Sequence, residues 1–138
     1  MKTRLLSVGL IISVMFIGQA SIAGEASPAV FLLLEKYQNA GVTEFSAERG
    51  KYAWVKKMVP KPTQEASCST CHGTDVTQNG QHAKTHKVIE PMALSIQPDR
   101  FQDAKKIEKW FKRNCKWAWG RECTPQEKGD FLAYLTSQ

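Results

Sequence analysis

From Ser27 onward, stretches with helical periodicity alternate with stretches that have none. Ser27-Pro28 reads as a helix start, a capping hydroxyl followed by proline at the first helical position. Val30, Leu33, Leu34 and Tyr37 recur at helical spacing, and Gly41 is the expected stop. A second helix is predicted from Ser46 to about Lys57, with Glu48 in its first turn and Gly50 and Trp54 on one face. Pro60 and Pro62 then impose an extended loop. The stretch 74–98 shows no sustained period. Asn79-Gly80 marks a turn there, and Pro91 and Pro98 interrupt anything regular. A loop this long in a small domain needs something to fold around.

Periodicity resumes near Asp103, an expected cap. Ile107, Trp110, Phe111 and Asn114 fall on one face, and Lys105, Lys109, Lys112 and Lys116 on the opposite one. That helix is predicted to end at Asn114. Thr124-Pro125-Gln126-Glu127 is a capping box with proline at the first position, opening a last helix to about Leu135. Phe131, Leu132, Tyr134 and Leu135 are its apolar content. No strand pattern appears. The expected fold is therefore all-α, with about four helices.

The N-terminus changes the picture of where the chain works. Lys2 and Arg4 precede an apolar run from Leu5 to Ile17, and Ser21 and Ala23 occupy cleavage-type positions, which together read as a secretory signal over residues 1–23. The apolar run is short for a bilayer span, so no membrane span is expected in the mature chain, with a retained N-terminal anchor as the alternative. Cleavage leaves residues 24–138, the size of one small domain. It also removes two bases and no acid, lowering the net charge from +6 to +4. That charge is modest and scattered, which argues against nucleic acid as a partner.

The chemistry is concentrated in Cys68-Ser69-Thr70-Cys71-His72-Gly73. Two cysteines three apart and followed at once by histidine are the attachment signature of a c-type haem. Each thiol adds to one vinyl group of the porphyrin, and the histidine imidazole reaches the iron from one face. A thioredoxin-like pair would follow an apolar strand, whereas the polar run 61–67 precedes Cys68. A four-cysteine zinc site would need Cys115 and Cys123, whose spacing is wider than a zinc knuckle uses. With Cys68 and Cys71 given to haem, Cys115 and Cys123 remain, and in an oxidising periplasm they should form a disulfide. Closing so short a loop restrains the unfolded chain by roughly 2.5 kcal/mol.

The helix with Gly50 and Trp54, the Cys68–His72 motif and the closing helix through Phe131 to Leu135 resemble class I cytochromes c. In that fold the N- and C-terminal helices cross near a glycine and an aromatic residue. Closer still, the run 67–77, Gln97-Pro98-Asp99-Arg100-Phe101, Lys109-Trp110, Arg113-Asn114-Cys115 and the run 120–128 are similar to the sphaeroides haem protein family. The resemblance extends from Ser46 onward. It implies one covalent haem c with His72 as proximal ligand and Asn114 as the sixth ligand of ferric iron. It also implies a Cys115–Cys123 disulfide beside that asparagine. On reduction the asparagine of this family leaves, and ferrous iron binds oxygen or another diatomic gas such as nitric oxide. The family's usual electron partner is a dihaem cytochrome c. The chain departs from the family pattern in its N-terminal helix and in the bulky Trp117 and Trp119.

Rival ligands follow from the residues. An electron-transfer cytochrome would use methionine, and Met58 and Met92 are candidates whose ordinary use is core filling. His82 and His86 lie in the irregular loop, where solvent exposure is expected. On the residues alone, Asn114 reads equally as a ligand or as a helix C-terminal cap in left-handed conformation. An amide is a hard, neutral donor better suited to ferric iron, whereas methionine favours ferrous iron and raises the potential. The expected function is thus a redox-gated gas-binding cytochrome, with a permanent His/Met electron carrier as the alternative. Terminal reductase or peroxidase activity is not assigned, since no distal His–Arg pair is evident. Arg113 and Arg121 lie near Asn114 in sequence without an assigned place. The lysine row is expected to be a solvated face; as a functional surface it would meet an acidic redox partner.

Overall fold

A computed structural model describes residues 26–61 and 64–138, so the signal segment 1–23 lies outside the described residues. Among the described residues there are five helices: α1 (Pro28–Asn39), α2 (Ala47–Val55), the single turn α3 (Ser69–His72), α4 (Ala104–Trp119) and α5 (Pro125–Thr136). The four longer ones start where the capping residues place them. Ser27, Ser46, Asp103 and Thr124 each accept a hydrogen bond from the backbone N–H three residues on, and Glu127 completes the capping box. Helix α2 stops at Val55, two residues short of the expected end.

Helix α2 crosses α5, and this is the most extensive helix contact of the fold. Gly50 makes the crossing possible, because a Cβ there would overlap the Asp130 carbonyl and meet the Tyr134 Cβ. Asp130, itself buried, ties the same junction: its carboxylate accepts from Ser46 N at 2.7 Å, Arg49 Nε at 2.9 Å and Gln126 Nε2 at 3.0 Å. Two apolar clusters form the core. Trp54, Val76, Ala93, Cys115, Ala118, Trp119, Cys123, Phe131, Tyr134 and Leu135 form the larger. Val30, Leu33, Tyr37, Ile107 and Leu132 form the smaller, under α1.

Three features differ from the sequence reading. Two short antiparallel hairpins are present: β1 (Met58–Lys61) with β2 (Gln64–Ala66), and β3 (Gly80–Gln81) with β4 (Val88–Ile89). Strands of two to four residues are too short for alternation to register as a pattern. Helix α4 does not end at Asn114. It runs one further turn to Trp119 and is closed by Gly120 in the left-handed conformation, φ 71°. Finally, Trp110 is 46% exposed rather than on the buried face. The inward stripe is Ile107, Phe111, Cys115 and Ala118, which leaves Trp110 at its margin with the Arg113 guanidinium 5.0 Å above its ring.

Candidate functional site

The hairpin β1–β2 delivers the chain to Ser67, which is buried and whose N–H donates to Thr70 Oγ1 at 2.9 Å. That bond starts the single turn α3, in which the His72 N–H reaches the Cys68 carbonyl at 3.2 Å. Cys68 and Cys71 stand three apart on this turn, so both sulfurs lie on one side of it, and both are free of any disulfide. Burial pushes the Cys68 thiol up to about 12, with a backbone hydrogen bond pulling slightly the other way.

His72 is packed from the α2 side, its ring 5.4 Å from that of Trp54. Its Nδ1 is buried without a hydrogen-bond partner among the described residues. Burial first, and the nearby Arg100 charge second, lower its pKa to about 4, so the imidazole is neutral as an iron ligand must be. The Trp54 Nε1–H donates to the Gly73 carbonyl at 2.9 Å and fixes the residue that follows His72. On the other side, the Ala83 N–H of the β3–β4 hairpin points at Cys71 Sγ, 3.4 Å away.

Asn114 sits inside α4, half-buried, with helical turns on both sides, so the left-handed cap role belongs to Gly120 instead. Its neighbour Cys115 is bonded to Cys123, with a Cα–Cα distance of 5.6 Å, as expected. Phe111 and Cys115, next to Asn114 on the inner side of α4, belong to the same apolar cluster as Cys68. Helix α4 lies against β1 and β2, the strands that lead into the motif. Met58 and Met92 are half-buried against this cluster, and the Met92 N–H donates to the Val76 carbonyl at 2.8 Å. His82 and His86 are exposed, and His82 Nδ1 accepts from the N–H groups of Lys84 and Thr85 at 3.3 and 3.2 Å. Trp119 is buried against Phe131 at 5.7 Å between ring centroids. Arg113 covers Trp110, and Arg121 stacks on Trp119 while pairing with Glu127.

Sequence reasoning missed the donors around this site. Arg100 Nε and Trp119 Nε1 are buried with no acceptor among the described residues, although the Arg100 Nη2 reaches Glu90 at 3.6 Å. Buried donors are normally matched, and a haem brings two propionate carboxylates. A free thiol pair on one turn, an adjacent neutral imidazole and unmatched buried donors all fit a covalent haem. No local signal marks Arg100 or Trp119, because both are defined by what surrounds them in space.

A domain family described as "Domain of unknown function (DUF1924)" matches residues 40–135. The cytochrome c-type protein SHP of Cereibacter sphaeroides is 44% identical over 129 residues, covering 94% of this chain and 97% of that protein. The structure of oxidised SHP, described as an oxygen-binding cytochrome c, superposes with a TM-score of 0.73 at 43% identity, over 81% of this chain and 99% of that one. Cytochrome c'' of Methylophilus methylotrophus is 34% identical over 89 residues, 64% of this chain and 62% of that protein. Its oxidised crystal structure superposes with a TM-score of 0.69 at 31% identity, over 78% of this chain and 92% of that one. Its solution structure has been interpreted in terms of haem-ligand detachment. The all-α frame, the thiol pair and these relatives agree: the chain belongs to the DUF1924 domain family and to the SHP-type monohaem c-type cytochromes, and it carries one covalently attached haem c.

Proposed function

We propose that the protein is a periplasmic gas-binding cytochrome whose sixth iron ligand, Asn114, is present in the ferric state and leaves on reduction. Cys68 and Cys71 hold the haem through thioethers and His72 binds its iron from the α3 side. When bound, the haem would supply a redox-active iron able to take up one electron and, in the ferrous state, to bind oxygen or nitric oxide. Electrons come from another cytochrome, by family resemblance a dihaem one. The signal-like residues 1–23, the haem motif and the disulfide all suit an exported protein.

The observation that carries the ligand reading is the placement of Asn114. An asparagine inside a helix costs roughly 0.5–0.7 kcal/mol relative to alanine. It is half-buried here, beside Phe111 and Cys115, which belong to the same apolar cluster as Cys68. A neutral amide oxygen is a hard donor, matched to ferric iron and weak toward ferrous iron. Helical hydrogen bonds on both sides and the disulfide one residue on restrain the backbone there. On this reading a small local movement is what frees the iron.

Visible spectra of the ferric, ferrous and carbon monoxide-treated protein test this. A high-spin ferrous spectrum that shifts with the gas is expected, and Asn114→Ala should alter the ferric spectrum while leaving the ferrous one as it was. A methionine-to-iron charge-transfer band with no carbon monoxide response would establish the His/Met carrier instead.

A further inference from the structure

The outer side of α1 keeps two large apolar side chains in solvent. Phe31 and Leu32 are 60% and 59% exposed, while Val30, Leu33 and Tyr37 supply the buried face of the same helix. A shallow groove between α1 and the start of α4 is lined by Pro28, Ala29, Leu32, Ala104 and Lys105. Through Asp103 and Lys105 it continues into a second groove that reaches Lys106, Lys109 and Trp110. Trp110 is exposed there under the Arg113 guanidinium.

The charge of this face is positive. Lys105, Lys106 and Lys109 are exposed and form no ion pair among the described residues. Two carboxylates oppose them. Asp103 lines both grooves and accepts from the Lys106 backbone N–H at 3.0 Å, and Glu35 is exposed one turn beyond Phe31. Glu108, on the same helix, is already held by Lys36 at 2.9 Å and Lys128 at 2.7 Å. Exposed apolar and aromatic side chains rimmed by lysines suit a lipid surface: anionic headgroups meet the ammonium groups, and the rings and methyls enter the boundary beneath. A second copy docked here would bring the same positive face against itself. An acidic protein would match the lysines but would need a pocket shaped for Phe31 and Leu32, which a bilayer does not.

We propose that this face, Phe31 and Leu32 of α1 with Lys105, Lys106, Lys109 and Trp110 of α4, rests on an anionic lipid bilayer and holds the protein there reversibly. Helix α1 covers the smaller apolar cluster, whereas Cys68 packs against the larger one, so attachment through α1 does not involve the haem motif. The proposal is independent of which side chain is the sixth iron ligand.

Co-sedimentation of the exported holo protein with vesicles, read by haem absorbance, tests this. Vesicles of phosphatidylglycerol and phosphatidylcholine in equal parts should bind it about tenfold more tightly than phosphatidylcholine alone at ~20 mM ionic strength, and release most of it at ~0.5 M. F31Q/L32Q and K105E/K109E, all at exposed positions, should each weaken binding roughly fivefold or more. K84E/K87E makes the same charge change on the exposed β3–β4 hairpin and should weaken it much less. No binding to the anionic vesicles, or full binding by F31Q/L32Q, overturns the proposal. So does an equal loss from K84E/K87E, which would reduce the effect to net charge. Binding that neither salt nor any variant moves would assign attachment to a retained N-terminal anchor instead. A dimer that F31Q/L32Q abolishes, in protein that ignores vesicles, would give the face to a second copy and likewise overturn it.

Discussion

The indole N–H of Trp54 donates to the carbonyl of Gly73, the residue after His72, at 2.9 Å. Helix α2 is thereby joined to the haem motif across 19 residues of chain. The Trp54 ring also packs against the rings of His72, Phe131 and Tyr134. Trp54→Phe keeps most of that packing and leaves the Gly73 carbonyl without its donor. A loss of about 1–3 kcal/mol is expected in denaturant unfolding, with haem retained. An unchanged unfolding midpoint would show that water replaces the indole without cost.

At the α2–α5 crossing, Gly50→Ala places a methyl group against the Asp130 carbonyl, which is backbone and cannot rotate away. The two helices must separate, and overpacking of this kind costs about 1–3 kcal/mol or more. Thermal unfolding followed by far-ultraviolet circular dichroism reads the loss. The exposed control Lys51→Ala, one residue along the same helix, should stay near the unaltered protein.

Removing the Cys115–Cys123 bond in a C115A/C123A variant frees an eight-residue separation in the unfolded chain. The expected loss is about 2.5 kcal/mol. Because the bond adjoins Asn114, the variant should also weaken ferric ligation, visible as a rise in high-spin character. A stability loss with an unaltered ferric spectrum would confine the disulfide to a purely structural role.

Acid should weaken the seam between α1, α4 and α5. Burial alone would raise the Glu108 pKa, but Lys128 Nζ at 2.7 Å, Lys36 Nζ at 2.9 Å and the Tyr37 hydroxyl at 3.1 Å outweigh it and hold it below the usual carboxylate range. A folded pKa below the unfolded one means that the stabilisation is present above the unfolded value and is lost as pH falls through the folded one. Glu127, held down by Arg121 against its own burial, behaves in the same direction. Glu108→Gln should therefore lower stability at pH 7 and flatten, without abolishing, its decline between neutral and acidic pH. Unfolding midpoints across that range measure both effects.

The legible parts of this protein share one property: their causes lie within a single turn of chain. The caps at Ser27, Ser46, Asp103 and Thr124 each bond three residues ahead, and the Cys68–His72 spacing is itself the chemistry. The parts that were misread depend on neighbours. Trp110 has the right period for the buried face, yet the volume between α1, α4 and α5 is filled by Ile107 and Phe111. Nor does α4 end at Asn114, because Cys115 and Ala118 continue its buried stripe until Gly120 closes the helix.

By itself the sequence determined the helical class, the helix starts, the haem motif and the cysteine pair left over for a disulfide, because local hydrogen bonding and thiol spacing need no distant partner. Only the tertiary structure decided that α2 and α5 close over Gly50, that Arg100 and Trp119 hold unmatched buried donors, and that the hairpin 80–89 is the one against Cys71. Those facts join residues 12 to 84 positions apart. No pattern within one segment encodes such contacts, since each is set by how packed surfaces meet.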